Sequence, residues 1–216
     1  MNATPKIAVL LSTYNGEAFL DIQLQSIVEQ TYTNHVIVAR DDGSRDGTLA
    51  LLREWQRQHP ERLYLIADCP DNLGARGSFA WLVDYVLAHK AELELDRAYL
   101  MFCDQDDRWF PQKMAVEVEA MLAAEDAGGD DLPVLVHSDL RVVTEEEGLI
   151  AESFVRYQGL EIARNRFPNM VISNLVTGCT VLINEPLAHK AMPVPDDAIM
   201  HDWWLALVAA AFGRVV

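Results

Sequence analysis

The sequence predicts an α/β protein built on a mostly parallel sheet, and two observations carry that expectation. Short apolar runs alternate along the chain with amphipathic helix patterns, which is the mark of βαβ units. Polar clusters at residues 12–16, 41–47, 72–76 and 104–107 each fall where such a run ends. In open sheets of this kind, ligands bind at the carboxyl ends of the strands.

The elements follow in order. Lys6–Leu11 is a β-rich run that stops at Ser12-Thr13-Tyr14-Asn15-Gly16. Leu20, Leu24, Ile27 and Val28 then share one helical face. His35–Ala39 is a second strand ending at Asp41-Asp42-Gly43-Ser44-Arg45-Asp46-Gly47, and Leu49, Leu52 and Trp55 resume a helix. Leu63–Ala67 reads as a third strand, Asn72-Leu73-Gly74 as a loop, and Phe79, Leu82, Val83, Val86 and Leu87 as the buried side of the next helix. Ala98–Cys103 is a fourth strand. Pro111 fits the first turn of a helix reaching about Asp126. Gly128–Asp131 breaks the chain before the strand Val134–His137. Beyond residue 140 the pattern loosens. Glu145–Gly148 reads as a solvated turn, Arg156–Pro168 as loop and Cys179–Ile183 as a strand. A helix starts near Asp202, and Phe212–Val216 reads as the beginning of another strand.

The bulk composition narrows the function. The chain has 216 residues, half of them apolar, which suits one sizeable core. Its net charge of −16 argues against nucleic acid and against electrostatic attachment to anionic lipid. Cys69, Cys103 and Cys179 are odd in number and widely spaced, without a CxxC, so neither a zinc site nor a disulfide framework is expected. Cys103 and Cys179 lie in apolar runs and read as inert core thiols. No signal peptide is visible at the start of the chain. No stretch approaches the roughly 18 apolar residues of a membrane span. A cytoplasmic location is the expectation, with room for peripheral association at the inner face of the membrane.

The densest chemistry is Asp104-Gln105-Asp106-Asp107, three carboxylates directly after a buried strand. Such a cluster suits a divalent cation, Mg²⁺ or Mn²⁺, that carries a phosphorylated ligand. The plainer reading is acidic enrichment ahead of the helix at Pro111, but three acids exceed what a cap needs. Asp41 and Asp42 sit in a glycine-bearing turn, where an aspartate can meet a base or ribose; the plainer reading is an ordinary turn with Ser44 or Asp46 capping a helix. Ser12–Gly16 offers backbone N–H groups before a helix, yet it is neither G-x-G-x-x-G nor a P-loop. Asp202, at a helix start beside His201, fits a general base or a plain cap. Arg76 is either a phosphate contact or a surface cation, and Gly178 permits close backbone approach beside Thr177.

Taken together, these segments resemble family 2 glycosyltransferases with the GT-A fold. The matching stretches are STYNGEAFLDIQLQSIVEQTY (12–32), ARDDGSRDGT (39–48), NLGARGSF (72–79), MFCDQDDRWFPQK (101–113), VTGCTVLIN (176–184) and HDWW (201–204), in the family's order. DQDDRWFPQK, VTGCTVLIN and HDWW are similar to the bacterial rhamnosyltransferase-type branch.

The resemblance implies a single GT-A domain over 1–216, with a Rossmann-like nucleotide-sugar-binding half (1–110) and an acceptor-side half (111–216). It implies that Ser12 and Asp41 contact the nucleotide base with Tyr14 nearby, and that Asp42 supports the turn or ribose. Arg76 falls on the donor side. Asp104 and Asp106 form a D-x-D element meeting ribose and metal, and Asp107 is a further metal ligand. Asp202 is the base, while Thr177, Gly178 and His201 line the sugar–acceptor region. The implied activity is metal-dependent, inverting transfer from a nucleotide-diphosphate sugar, dTDP-rhamnose being the first guess, to a glycan or lipid-linked acceptor in O-antigen or capsule synthesis. Members of the branch usually continue into a loop whose histidine completes the metal shell. The chain stops at Val216 before it, so a truncated carboxyl end is expected. Two rivals stand beside this reading. One is a non-catalytic nucleotide-sugar-binding domain. The other is a Mg²⁺-dependent phosphoryl-transfer enzyme, which would need an aspartate where the first strand ends in Ser12–Asn15.

Overall fold

The computed structural model describes residues 4–66 and 71–216. The expectations placed on Cys69 and Ala67 lie outside those residues.

One seven-stranded sheet organises the chain. Its strands are β1 (Ile7–Thr13), β2 (His35–Asp41), β3 (Leu63–Ile66), β4 (Tyr99–Cys103), β5 (Val134–His137), β8 (Val181–Asn184) and β9 (Arg214–Val215), in the order β3-β2-β1-β4-β8-β5-β9. The pairs β1/β2, β1/β4, β2/β3 and β5/β9 are parallel. Only β8 runs against its neighbours β4 and β5. The mostly parallel sheet expected from the alternating pattern is thus present.

Its strands are apolar on both faces because helices cover both. Ile7, Val9 and Leu11 of β1 point to one side, with Met101, Val136 and Leu182. There they meet α1 (Leu20–Val28), α2 (Thr48–Gln58) and α4 (Lys113–Gly128) through Leu24, Leu52 and Met121. Ala8 and Leu10 point to the other side with Leu100, Phe102 and Ile183. They pack on α3 (Gly74–Ala88), α7 (Glu185–Ala191) and α8 (His201–Phe212) through Phe79, Leu187 and Leu205. Successive strand side chains alternate between faces, so a continuous apolar run is what a doubly covered strand requires.

Three boundaries differ from the sequence expectation. Pro111 stands in the turn before α4 and not inside it; its carbonyl accepts the Thr31 N–H at 2.9 Å. Gly178–Thr180 is a 3-10 turn, held by Thr180 N–H and Oγ on the Thr177 carbonyl, and β8 starts only at Val181. Residues 156–168 are not all loop: α5 (Phe154–Tyr157), a 3-10 turn at Ile162–Arg164 and α6 (Phe167–Met170) run through them. The acidic turn 145–148 does form, as the tip of a hairpin between β6 (Val142–Val143) and β7 (Leu149–Ala151).

Fully buried Asn184 ends β8 and starts α7. Its Oδ1 accepts N–H groups of Val134 (2.9 Å) and Leu187 (3.2 Å), and its Nδ2 donates to Glu125 and to the Leu132 carbonyl, each at 2.8 Å. One amide thus joins β8, β5, α4 and α7, and leaves none of its own polar atoms unpaired.

Candidate active site

The carboxyl ends of β1, β2 and β4 and the start of β8 meet along one edge of the sheet. The loops after β1 and β2 are laced together. Asp41 accepts Thr13 Oγ1 (2.9 Å), Ser44 N–H (2.9 Å) and Ser44 Oγ (2.5 Å). Asn15 N–H reaches Ser44 Oγ, Arg45 N–H reaches Asn15 Oδ1, and Gly16 N–H reaches Thr48 Oγ1, all within 2.8–2.9 Å. Asp41 therefore shapes the turn with its carboxylate. Tyr14 is anchored by its backbone: Gln105 Oε1 accepts its N–H (2.8 Å) and Gln105 Nε2 donates to its carbonyl (3.0 Å). That pairing ties the β1 loop to the acidic loop. It works only because residue 16 is glycine, since a Cβ there would stand 2.3 Å from Gln105 Oε1.

Asp42 has a different task. Its carboxylate accepts the guanidinium of Arg40 and the N–H groups of Leu73 and Gly74, the latter two at 2.9 Å. It thereby caps α3, where an anion is favoured. Arg40, only 1% exposed, also donates to Ser78 Oγ (2.8 Å) and the Asp71 carbonyl (2.7 Å) and lies 5.7 Å from the Trp81 ring centre. Ser12 donates to the same Ser78 hydroxyl at 2.7 Å. Arg76, in the first turn of α3, is neither a bare surface cation nor turned to a free phosphate position. Its guanidinium holds the carbonyls of Pro195, Asp196 and Ala198, in the segment that leads to α8.

The acidic loop after β4 separates its three acids. Asp104 and Asp107 turn inward, and their carboxylate oxygens lie within 4.8 Å of each other and of Cys179 Sγ. Asp106 is exposed on the rim, outside this group. Burial, then the charges of Asp107, Asp106 and Asp202, push Asp104 up to about 7. Burial also raises Asp107, opposed by a hydrogen bond from Cys179 and by Lys113. Lys113 is itself paired with Glu117 at 2.6 Å, so it reaches the cluster only through its field. The expectation that Cys103 and Cys179 are both inert core thiols needs correction. Cys103 does sit in the core, between Gln23 and the Asp104 carbonyl, but Cys179 faces the carboxylates. The 3-10 turn at 178–180, invisible to an alternation pattern, points it there.

Asp202 opens α8 on the far side. It is buried; its carboxylate accepts the Trp203 N–H at 2.6 Å and bonds the Gly178 N–H and the Asn174 side chain. Burial outweighs these bonds and raises it above the usual carboxylate range. His201 beside it is 3% exposed, lies 4.4 Å from the Phe79 ring and 5.4 Å from Phe102, and burial lowers it to about 3. It is a neutral aromatic plate under the site and no cation. A Cβ on Gly178 would lie 3.3 Å from His201 Nε2 and 3.6 Å from Asp202 Oδ2, so glycine is what lets the turn approach the start of α8 this closely. Thr177 supplies the carbonyl that folds the turn.

An open cavity of about 630 Å³ lies between these groups, lined by Ser12, Tyr14, Asp42, Asn72, Asp104 and Asp106 among others. Its size falls in the range of small-molecule sites. Sequence reasoning missed Arg40, Ser78, Gln105 and Cys179. Gln105 lay in plain view inside the acidic motif, but its partner is the backbone of Tyr14, 91 residues away.

Any group that can neutralise this cluster must be cationic, and its donors, two carboxylates with a thiol beside them, fit a divalent ion. Two outcomes follow. Arg40→Met should destabilise the fold by about 3–5 kcal/mol in urea unfolding, because it leaves Asp42 buried without its cation. For Asp104, the folded chain keeps a proton that the unfolded chain loses between its ordinary value of 3.8 and about 7. The stability it contributes is full below that window and is lost as pH rises through it. In chelator, Asp104→Asn should therefore be more stable than the parent at roughly pH 8. The advantage should vanish toward roughly pH 4, with a slope of at most about 1.4 kcal/mol per pH unit. Equal stabilities at both pH values would contradict this.

A family model described as Glycosyl transferase family 2 matches residues 8–187. The dTDP-rhamnosyl transferase RfbG of Shigella flexneri is 32% identical over 112 residues, 52% of this chain and 37% of that protein. The putative glycosyltransferase EpsE of Bacillus subtilis (strain 168) is 29% identical over 118 residues, 55% of this chain and 39% of that protein. The mannosyltransferase PcManGT from Pyrobaculum calidifontis, solved in complex with GDP-Man and Mn²⁺, superposes with a TM-score of 0.66 at 20% identity, covering all of this chain and 55% of that one. TarS of S. aureus in complex with UDP-GlcNAc gives 0.57 at 16% identity, covering 98% and 56%. The structural likenesses speak for the fold alone, and the matches span well under two thirds of each of these proteins. With the matched region running from β1 into α7, and so through the acidic loop and the Cys179 turn, the chain belongs to glycosyl transferase family 2 and has the GT-A fold.

Proposed function

We propose that this chain moves a sugar from a nucleoside diphosphate donor to a hydroxyl of a glycan or lipid-linked acceptor, inverting the anomeric centre in one displacement. The observation that carries the reading is the gathering of Asp104, Asp107 and Asp202, from two distant segments, beside the cavity between the β1 and β2 loops.

In this reading the nucleotide occupies the cavity against Ser12, Tyr14 and Asp42. Asp104 and Asp107, with Asp106 on the rim, hold a divalent cation, Mn²⁺ or Mg²⁺. That cation supplies neutralisation of the diphosphate leaving group. Asp202 takes the acceptor proton. Its burial weakens it as an acid, which brings a general base closer to neutral pH. Neutral His201 places no cation beside it that would hold its proton affinity down. Thr177 and Gly178 bring the chain against the sugar. Residues 1–110 form the donor half and residues 111–216 the acceptor half.

A dTDP-linked deoxysugar, rhamnose first, is the proposed donor, supported by the dTDP-rhamnosyl transferase among the relatives. Surface polysaccharide synthesis, on the cytoplasmic side of the membrane, is the proposed setting. No helix among the described residues is long and apolar enough to cross a membrane.

Calorimetric titration with UDP, dTDP and GDP, each with and without Mn²⁺, tests the core of the proposal. At least one nucleoside diphosphate should bind more tightly with the metal, and failure of all three would overturn the reading. Asp202→Asn should keep that binding and lower transfer by about 10²–10⁴-fold. Unchanged transfer in this variant would remove Asp202 from the role of base.

A further inference from the structure

Cys179 has surroundings unlike those of a packing thiol. It is 4% exposed, yet its Sγ lies within 4.8 Å of carboxylate oxygens of both Asp104 and Asp107. An inert core thiol is surrounded by hydrocarbon, as Cys103 largely is, with Met101, Trp109 and Met114 in its cluster. The position is also fixed. The 3-10 turn closes through two hydrogen bonds on the Thr177 carbonyl (2.7 and 2.9 Å), and β8, paired on both sides, holds its far end.

Resting on the metal reading above, we propose that Cys179 is a third donor, through sulfur, to the cation held by Asp104 and Asp107. Coordination would replace the S–H bond by a sulfur–metal bond, the thiol proton passing to a neighbouring carboxylate and on to solvent. Mg²⁺ takes oxygen donors almost exclusively, whereas thiolate sulfur favours Co²⁺, Zn²⁺ and Cd²⁺. The donor set of two oxygens and one sulfur makes this site more selective for thiophilic cations than two carboxylates alone.

Anaerobic titration of the 216-residue chain with Co²⁺, followed by near-ultraviolet absorption, tests the assignment. The wild-type chain should develop a thiolate-to-cobalt charge-transfer band that saturates at one ion per chain, and Cys179→Ser should lose it. The ratio of Cd²⁺ to Mg²⁺ affinity should fall in the same variant. In parallel, Mn²⁺ binding in the presence of UDP, dTDP or GDP is followed by electron paramagnetic resonance. If Mn²⁺ binds but the cobalt band is missing, or persists in Cys179→Ser, the sulfur assignment is overturned and the Asp104–Asp107 site stands. If no divalent ion binds with any of these nucleotides, both readings fall. Should Cys179→Ser not fold, cobalt K-edge absorption of the wild-type chain decides: a sulfur shell supports the assignment, and oxygen and nitrogen alone overturn it.

Discussion

Arg40 is the largest side chain buried to less than 2% exposure, and its charge has to be met where it lies, at the end of β2. Asp42 meets it, and that single requirement fixes much else. A carboxylate held against a buried guanidinium still has lone pairs to give, and it gives them to the first N–H groups of α3. The nitrogen that meets Asp42, Nη1, also donates to Ser78 Oγ, Nη2 donates to the Asp71 carbonyl, and Ser78 takes the hydroxyl of Ser12 in turn. β1, β2 and α3 are thus locked at the lip of the cavity by one ion pair that water does not reach. Such a pair contributes little net stability against an apolar replacement. What it does supply is geometry.

The acids of this chain fall into two populations. Asp41, Asp42, Glu125 and Glu185 are spoken for: hydroxyls, backbone N–H groups, amides, Lys90 or Arg40 use their oxygens. Asp104, Asp107 and Asp202 are half-buried or buried, stand close enough to feel one another, and have raised proton affinities. The first population builds the fold; in the second, Asp202 is partly engaged by the Trp203 N–H, while Asp104 and Asp107 face each other. A fold that leaves like charges this close gives up stability at neutral pH for as long as nothing positive is bound.

Much of this was legible in the sequence, for a simple reason. Strands covered on both faces must be apolar throughout, so Ile7–Leu11 and Tyr99–Cys103 announce themselves, and the polar residues that end them mark the ligand edge. Strand direction carries no such mark, and the reversal of β8 emerges only from its pairing with β4 and β5. Helix α7 was overlooked although Asn184, followed by Pro186 at the start of the helix, is a recognisable start signal. The surroundings of Arg76 and Cys179 were not legible because their partners are tertiary. Arg76 is occupied by carbonyls about 120 residues away, and Cys179 leaves its apparent strand for a turn. The roles of Asp41 and Asp42 were blurred by adjacency: neighbouring aspartates point in opposite directions, one into its own turn and one into a helix start.

The reversal of β8 has a consequence for how such a protein diversifies. Because β5 ends and β8 begins at the same edge of the sheet, residues 138–180 leave the fold and return to it at the rim of the cavity. That excursion holds the β6–β7 hairpin and the short helices α5 and α6, and exposes Ile150, Tyr157, Ile162 and Ile172. Part of it is tied to the core: Met170 and Val176 pack with α8, and the Trp203 indole N–H donates to the Met170 carbonyl. β1, the loop after β2 and the start of α3 are bolted to the ion pair at Arg40. The β6–β7 hairpin alone projects from the excursion as a separate two-stranded sheet, so its length can change while the strands beneath it keep their register.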